Sequence, residues 1–527
     1  MPSVYLETRP IMVVMVSALS RFASAQRTQA AGVFAAAFAL RFLAQGAIEN
    51  DHFLQLARAH QILHGAWPIR DFVDLGQMLT YLLSASAAAI FGPSLLTEAV
   101  LLILILAGAA ALTFVLARRA SGSAAVGLVA VAVELAAYPR LYNAGKLLFP
   151  AVVIALGWRY ADRPTVRRLA ALSAWTVCAF LLRHDYAAYT LLATTTLLVV
   201  AHRLDLAVMA RRFSAYLGFA FALILPWLGY VHWAQGIGSY FRAAAGFVQV
   251  EAQRTVSGWP GAGGPVPPTW MEAGAFYAIV VLPFVAVWLV RRPGSRLSAA
   301  HVVFVAVLSL AIDAVFLRDS LDTRLPDVVV APLVLAALVA GHCRLLVSRR
   351  AARLWLAATA IGGIALIASL GASLPTPWAV AGRIAQVATR LRRAEPPVVP
   401  RLHLQLVRYL SSCTSADEHV LVSGFAPEIP VLAGRPFAAG LPVWQQNYFT
   451  GEEEVQRAVH QLSRERVSMA VLIDGSAAFA GAWPGLAESL RARRFVERTW
   501  SVDGQQLVVW LPESRAHMTA PTSDACE

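Results

Sequence analysis

Long apolar stretches separated by short arginine-rich segments dominate the first 373 residues of the chain. A helix that crosses a bilayer needs about 20 apolar residues, and about eleven stretches approach that length. They lie near residues 29–48, 95–117, 122–139, 146–161, 168–185, 186–202, 213–233, 274–290, 298–317, 327–347 and 354–373. The pattern therefore predicts an α-helical polytopic membrane domain over residues 1–373, with a first outer loop over residues 49–94.

Beyond residue 374 the pattern becomes that of a soluble domain. Prolines between residues 375 and 400 indicate a linker over residues 374–400. Alternating and helix-spaced apolar positions then indicate short elements. These are a strand at 419–424, a helix at 452–466, a strand at 467–474, and a hairpin of 495–500 and 505–511 around Asp503-Gly504. We predict a C-terminal soluble α/β domain over residues 401–512 and a polar, disordered tail over residues 513–527.

The composition supports a membrane protein. Of the 527 residues, 58% are hydrophobic and 14% are charged, and the mean hydropathy is +0.59. A soluble protein is nearer a quarter charged, so these values also exclude a disordered chain, a collagen-like fibre and a disulfide scaffold. The net charge of +13 is explained by the basic residues that collect in cytoplasmic loops, and no nucleic acid partner is expected. The four cysteines contain no CxxC spacing, which argues against a zinc knuckle or a redox motif.

Basic clusters fall on alternate sides of the predicted spans. The clusters on one side are Arg21 and Arg27; Arg118 and Arg119; Arg163, Arg167 and Arg168; Arg203, Arg211 and Arg212; Arg291, Arg292 and Arg296; and Arg344, Arg349, Arg350 and Arg353. The positive-inside rule makes this side cytoplasmic. The N-terminus is then inside, and the C-terminal domain is outside the bacterial cytoplasmic membrane. Residues 77–92 are too short for a span and would invert this order, so we expect an interfacial or re-entrant helix there.

The first 25 residues resemble a secretory signal peptide, because Arg9 precedes an apolar run and a small-residue motif at Ala23-Ser24-Ala25. Cleavage there would export Arg27 and oppose the charge pattern. We therefore favour a mis-assigned start or an interfacial segment.

Acidic side chains gather on the predicted outer side, where charged groups near a membrane tend to mark function. The first outer loop carries Glu49, Asp51, Asp71 and Asp74, and Tyr81 follows in the next apolar helix. Lys146 and Arg183 stand at predicted outer ends of spans, while Arg318 and Arg324 stand in a predicted outer loop. This mixture fits a site that handles a phosphate and also needs a carboxylate base.

The first loop resembles that of the GT-C glycosyltransferases. The resemblance rests on an acidic residue after the first span and on Ala57, Arg58, Gly65, Pro68, Arg70, Asp71 and Phe72 in the order A-R-x6-G-x2-P-x-R-D-F. Gly92-Pro93-Ser94, the span that ends in Ala117-Arg118-Arg119, and Pro430, Gly434 and Arg435 extend it. The bacterial branch of protein mannosyltransferases and aminoarabinose transferases is the most similar. Many relatives place a lysine after the first loop helix, where this chain has Asp74-Leu75-Gly76-Gln77.

The resemblance implies an inverting transfer of a sugar from a polyprenyl-phosphate donor to a lipid, glycan or protein acceptor. It assigns the role of base, or of acceptor orientation, to Asp51 or to Glu49. Our candidate phosphate ligands are Lys146, Arg183, Arg318 and Arg324, and the further substrate-binding candidates are Asp71, Asp74 and Tyr81. No metal site is expected from the histidine spacing, and no organic cofactor is implied, although a divalent cation stays open.

Each candidate has a structural alternative. Asp51 could cap the loop helix, and Asp71 and Asp74 could pair with Arg70. Lys146 could extend toward the membrane surface, and Arg183 could pair with Asp185. Arg318 and Arg324 could pair with acids of their own loop, namely Asp319, Asp322 and Asp327.

At the level of function, two alternatives also stay open. One is a transporter of lipid-linked sugars, and the other is a non-catalytic assembly protein. The long outer loop 234–272 contains a glycine-rich stretch, 258–265, that could form a lid with Trp259 and Trp270.

Overall fold

A computed structural model describes residues 9–44, 48, 51–203, 205–254, 270–292, 297–317, 321–346, 399–502 and 505–515, with isolated positions at 350, 351, 354 and 357. Several expectations lie outside these residues. They concern Glu49, Arg318, the glycine-rich stretch 258–265, nearly all of the last predicted span and of the linker, and the tail from residue 516.

The N-terminal region is helical. Its helices are α1 (Arg9–Ala44), α2 (Asp51–Leu63), α3 (Met78–Phe91), α4 (Leu95–Ser121), α5 (Ala124–Ala136), α6 (Ala144–Asp162), α7 (Val166–Leu182), α8 (His184–Ala201), α9 (Leu206–Ala234), α10 (Ile237–Arg254), α11 (Trp270–Val290), α12 (Ala299–Asp313), α13 (Leu321–Val328) and α14 (Val330–Leu346). Each predicted span between residues 29 and 347 coincides with one of these helices.

Four segments of the described chain are long and apolar enough to cross a membrane: Leu95–Ser121, Leu141–Asp162, Leu206–Ala234 and Ala273–Val290. Shorter apolar helices accompany them at Met78–Phe91, Ala124–Ala136, Ala299–Asp313 and Val330–Cys343. The protein is therefore a mostly helical membrane protein, and the number of spans stays a prediction.

Two expected loops contain helices. The outer loop predicted over residues 234–272 begins with the 18-residue helix α10. The outer segment that carries Arg324 forms the short helix α13, although a proline stands inside it at Pro326. The loop prediction was therefore wrong at both places. Pro326 is the sixth residue of this eight-residue helix, so its missing N–H removes one hydrogen bond near the end of the helix.

Close packing joins the helices of the bundle. Gly157 on α6 faces Phe304 on α12, and a Cβ added at Gly157 would lie 2.1 Å from the Phe304 ring. A glycine is required here because no larger residue leaves room for the aromatic ring. The contact holds α6, which carries Lys146 at its other end, in a fixed position against α12.

The C-terminal region contains a mixed four-stranded sheet in the order β1-β2-β4-β3. Its elements are α15 (Arg401–Cys413), β1 (His419–Ser423), α16 (Glu428–Ala433), α17 (Glu452–Arg464), β2 (Val467–Leu472), α18 (Ser476–Ala482), α19 (Pro484–Ala492), β3 (Phe495–Val502) and β4 (Gln505–Pro512). Strands β1 and β2 are parallel, and β3 and β4 form the expected antiparallel pair. The predicted strands, helix and hairpin strands are confirmed to within two residues.

Alternation along the strands gives the sheet two apolar faces. Val420 and Val422 of β1 face the cluster that contains α15 and α16, whereas Leu421 faces the cluster that contains α17, α18 and α19. The region is thus a three-layer α/β/α arrangement. Beyond β4, Arg515 pairs with Glu418 at 2.9 Å, so ordered chain continues three residues past the predicted end of the domain.

Backbone and amide hydrogen bonds attach the C-terminal region to the first loop. The Gln61 side chain on α2 donates to the Phe437 carbonyl at 3.3 Å and accepts from the Phe437 amide at 3.0 Å. The Val73 amide donates to the Gly440 carbonyl at 3.0 Å. The Gln61 amide both donates and accepts, so the two hydrogen bonds together fix the position of Phe437 relative to α2. The C-terminal region is therefore held against α2 and the first loop.

Candidate functional site

A cavity of about 800 Å³ lies between the helical region and the C-terminal region. Helices α2, α3, α4, α6, α8, α10 and α13 contribute to its walls together with the segment 441–449. The charged residues that line it are Asp51, Arg58, Arg140, Lys146, Arg183, Asp185, Glu251 and Arg324. Tyr81 and His184 also face it. The cavity is large enough for a sugar and a phosphate, and it brings together groups from distant parts of the sequence.

Asp51 is the first residue of α2, and its side chain is exposed in this cavity. Its Oδ2 accepts a hydrogen bond from the Tyr142 hydroxyl at 3.3 Å, and that hydroxyl accepts one from Arg140 at 3.0 Å. The Tyr142 hydroxyl therefore orients the Asp51 carboxylate and links it to the Arg140 guanidinium. A carboxylate in the first turn of a helix is also favoured by the helix dipole.

Lys146 and Arg324 share one carboxylate. The Lys146 ammonium donates to Asp327 Oδ2 at 2.6 Å, and an Arg324 guanidinium nitrogen lies 3.5 Å from the same oxygen. Asn143 donates to that oxygen at 3.2 Å. Asp327 is buried, so it holds the two cations of α6 and α13 at fixed positions on one wall of the cavity. Lys146 therefore points into this network, which excludes the expected alternative of extension toward the membrane surface.

Arg183 stands between α7 and α8 and pairs with Asp185 at 2.9 Å, as its structural alternative predicted. Its guanidinium carbon also lies 5.6 Å from the centre of the Tyr186 ring, a cation–π arrangement. The pair still faces the cavity. Lys146, Arg183 and Arg324 thus form a cluster of cations at the cavity, and each of them contacts a carboxylate, either Asp327 or Asp185.

Two predicted substrate-binding acids do not line the cavity. Asp71 pairs with Arg70 at 2.6 Å and accepts from the Trp67 amide at 2.7 Å, which confirms its structural alternative. Asp74 does not pair with Arg70, so that part of the expectation was wrong. It is buried and accepts hydrogen bonds from the Gly76 and Gln77 amides at 3.0 and 2.9 Å. An Asp suits this position because its short side chain reaches the backbone amides two and three residues further along the chain.

A buried polar network lies directly behind the cavity wall. Tyr240 donates to Asp74 at 3.4 Å and is hydrogen bonded to His184 Nε2 at 2.9 Å. Burial raises the pKa of Asp74, and the two backbone amides oppose that rise. Gly76 approaches the His184 ring so closely that a Cβ would lie 2.6 Å from it. The loop after α2 is therefore fixed against the start of α8.

Tyr81 lines the cavity from α3 and is almost completely buried. The Arg58 guanidinium carbon lies 5.3 Å from the centre of its ring. Arg58 also donates to the Leu54 carbonyl at 3.2 Å. Tyr81 therefore supports a cation at the cavity surface, which places it where the sequence predicted a substrate-binding residue.

Sequence reasoning missed several residues of the cavity. The lining residues that were not proposed as site residues are Arg58, Arg140, Tyr142, Asn143, His184 and Glu251. Asp327, which pairs with Lys146 from behind the lining, was also not proposed. Most of them stand next to an end of a predicted outer segment, which is the signal that could have found them. Within the described residues, no three His, Cys, Asp or Glu side chains lie close enough together to hold a metal ion.

No protein-family model and no curated protein matches the chain by sequence. Solved structures match it along nearly its whole length. ArnT from Cupriavidus metallidurans bound to undecaprenyl phosphate aligns with a TM-score of 0.54 and 14% identity, over 95% of this chain and 100% of that chain. The oligosaccharyltransferase AglB from Archaeoglobus fulgidus, in complex with an inhibitory peptide and a dolichol-phosphate, aligns with a TM-score of 0.50 and 11% identity, over 95% of this chain and 75% of that chain.

The chain shares its fold with ArnT and AglB. The fold covers both the helical region and the C-terminal sheet, because the match to ArnT extends over the full length of that protein. The GT-C likeness drawn from the first loop is therefore confirmed at the level of fold. The identities are too low to carry over the activity of either protein.

Proposed function

We propose that the protein is an integral membrane glycosyltransferase. It moves a sugar from a polyprenyl-phosphate donor to an acceptor at the outer face of the bacterial cytoplasmic membrane. The observation that carries this proposal is that Asp51 lines one cavity together with Lys146, Arg183 and Arg324. The likeness to ArnT, which was captured with undecaprenyl phosphate, supports a lipid-linked donor for a site of this composition.

In the proposed reaction Asp51 acts as the general base. An acceptor hydroxyl attacks the anomeric carbon, and its proton passes to the Asp51 carboxylate. The new bond joins the acceptor oxygen to the anomeric carbon as the bond from that carbon to the phosphate oxygen breaks. The electron pair of the broken bond stays on polyprenyl phosphate. Attack opposite the leaving group inverts the anomeric configuration.

The cation cluster stabilises the leaving group. A sugar linked through a phosphodiester carries one negative charge, and the departing polyprenyl phosphate gains a second. The Lys146, Arg183 and Arg324 cluster binds this charge, because fixed cations stabilise negative charge that develops in the transition state. These cations take the place of the lysine that many GT-C relatives carry after the first loop helix. Gln77 lines the cavity in that stretch instead.

Two features support an outer location for the site. The charge pattern of the sequence puts the cavity's residues at the ends of the spans opposite the arginine clusters. Cys413 of the C-terminal region is disulfide-bonded, a state that persists in oxidising compartments such as the bacterial periplasm.

The test is the variant Asp51→Asn in the full-length protein reconstituted in nanodiscs. We expect it to bind undecaprenyl phosphate like the wild type and to lose transfer by at least about 100-fold, because general bases contribute about that much. Transfer is measured by mass spectrometry of envelope glycans in a deletion strain complemented with each variant. The matched control is Asp71→Asn, in the same loop but outside the cavity, which should retain transfer.

Full transfer by Asp51→Asn, or a wild-type protein that does not bind undecaprenyl phosphate, would contradict the proposal. A carrier of lipid-linked sugars needs no base, so it would keep its function in Asp51→Asn. The same variant therefore separates an enzyme from a transporter or an assembly protein.

A further inference from the structure

One wall of the cavity has a chemistry unlike that of the others. The wall consists of Phe247 and Glu251 from α10 and of Phe425, Gln445, Tyr448 and Phe449 from the C-terminal region. We call it the aromatic wall. It contains no arginine or lysine among the described residues that line the cavity, whereas Lys146, Arg183 and Arg324 line another part of the cavity, which we call the cationic wall. A phosphate would therefore bind at the cationic wall and leave the aromatic wall to another part of the substrate.

Three rings of the aromatic wall, those of Phe247, Tyr448 and Phe449, form a contiguous group. The Phe247 ring centre lies 5.5 Å from that of Tyr448 and 6.2 Å from that of Phe449. The Tyr448 hydroxyl donates a hydrogen bond to the Glu251 carboxylate. The group therefore joins α10 to the C-terminal region and combines apolar ring faces with a polar edge.

Exposed ring surface beside a charged cavity needs an explanation. Phe425 lines the cavity and is 37% exposed, although it closely follows strand β1, in which all residues after His419 are buried. The ring of Phe449 and the amide of Gln445 are half-buried. The backbone of Phe449 has φ 51°, in the left-handed region that aromatic residues rarely adopt. A conformation that costs free energy persists when surrounding contacts enforce it, and it occurs often at binding sites.

These features match the surface of a saccharide. A sugar ring presents an apolar face of C–H groups, which packs on an aromatic ring, and an edge of hydroxyl groups. An amide and a carboxylate pair with such hydroxyls, because the amide both donates and accepts while the carboxylate accepts. A peptide or a lipid tail would not need this combination in a cavity that also carries a phosphate-binding wall.

We propose that the aromatic wall is a saccharide subsite, built jointly by α10 and the C-terminal region. The inference rests on the proposed function, which supplies the phosphate at the cationic wall. The saccharide is either the sugar of the donor or a sugar of the acceptor, and both would be recognised by the same chemistry. The C-terminal region thereby takes part in substrate binding.

The test compares Phe425→Ala and Gln445→Ala with the matched control Gln446→Ala in the full-length protein in nanodiscs. Phe425 is exposed, so its truncation should leave the fold intact, and Gln446 is an exposed neighbour that does not line the cavity. One arm measures the affinity for undecaprenyl phosphate and for a panel of undecaprenyl-phosphate-linked mannose, glucose and arabinose. The other arm measures binding to an array of immobilised glycans.

If the subsite holds the donor sugar, Phe425→Ala and Gln445→Ala will lower the affinity for at least one linked sugar at least fivefold. Undecaprenyl phosphate affinity and the Gln446→Ala control will not change. If it holds an acceptor sugar, the two variants will lose glycan-array signal that Gln446→Ala retains. Unchanged binding in both arms would overturn the inference. A wild-type protein that binds linked sugars or glycans but not undecaprenyl phosphate would overturn the proposed function and leave the subsite standing.

Discussion

The Lys146 ammonium donates a 2.6 Å hydrogen bond to the Asp327 carboxylate and so ties the start of α6 to the end of α13. Asp327 is 4% exposed and Lys146 is 16% exposed. A buried charge that loses its partner costs about 3–5 kcal/mol, whereas removal of both partners costs much less. The pair therefore holds the cationic wall together, and the two side chains should be strongly coupled.

A double-mutant cycle measures this coupling. We expect Lys146→Met and Asp327→Asn each to lower the apparent Tm of the protein in nanodiscs, and the double variant to recover part of the loss. Lys146→Met should also weaken undecaprenyl phosphate binding about tenfold, since it removes one charge-assisted contact. The matched control is the exposed pair Arg466–Asp417, whose removal should change the apparent Tm little. Additive losses at Lys146 and Asp327 would show that the pair does not act as a unit.

The second prediction concerns the orientation of Asp51. Tyr142→Phe removes the hydroxyl that donates to Asp51 and keeps the ring. Because one hydrogen bond contributes about 1 kcal/mol, we expect kcat to fall roughly fivefold while undecaprenyl phosphate affinity is unchanged. Tyr138→Phe is the control, since Tyr138 donates to the Ala44 carbonyl outside the cavity lining. Equal losses in both variants would indicate a general effect on folding instead of positioning.

The third prediction concerns the close approach of the first loop to α8. Gly76 has φ +91°, and an added Cβ would clash with His184. Gly65 in the same loop has nearly the same φ, +87°, but a Cβ there would meet nothing within 4 Å. Both alanine variants carry the strain of a positive φ, so the difference between them reports the contact with His184. Gly76→Ala should therefore lower the apparent Tm further than Gly65→Ala, and it alone should reduce transfer. Equal shifts would mean that the His184 contact is relieved without cost.

The fourth prediction concerns pH and Glu465, which accepts a hydrogen bond from the Ala439 amide at 2.7 Å. Burial raises the pKa of Glu465 to about 7, from 4.5 in a free side chain. Between these pH values the unfolded chain releases a proton that the folded chain keeps, so stability falls as pH rises from about 4.5 to about 7 and is constant above.

Glu465→Gln keeps the acceptor oxygen and removes the ionisation. We expect the variant to match the wild type near pH 4 and to exceed it by about 1–3 kcal/mol near pH 8. Thermal unfolding across this pH range measures the difference, and the exposed Glu453→Gln serves as control. A variant that is less stable than the wild type at pH 8 would contradict the assignment.

The sequence predicted the architecture and part of the site. Apolar length and turn residues placed the helices and the β3–β4 hairpin, because these are local properties of the chain. Asp51, Lys146, Arg183 and Arg324 were all expected at one site, and the structure brings them to one cavity. These residues can be recognised in the sequence because a charged side chain beside an apolar stretch costs free energy and therefore tends to mark a functional site.

The pairings between distant segments could not be predicted. Asn143 and Lys146 meet Asp327 across more than 180 residues, and periodicity shows where a helix ends but not which other end it contacts. Asp74 was misassigned for a different reason. A carboxylate that closes a turn with backbone amides has the same sequence pattern as one that binds a substrate or an arginine. Helix α10 was missed because its mixed composition resembles that of a loop.

Part of the lining of the cavity that contains Asp51 comes from the last quarter of the chain. Phe425, Gln445 and Tyr448 are synthesised nearly 400 residues after Asp51, and Gln61 secures the region by both hydrogen bonds of its amide. A nascent chain that has reached only α14 thus carries Asp51, Lys146, Arg183 and Arg324 without the segments that complete the cavity. The last quarter of the polypeptide must therefore fold onto the helical region before the cavity exists in its complete form.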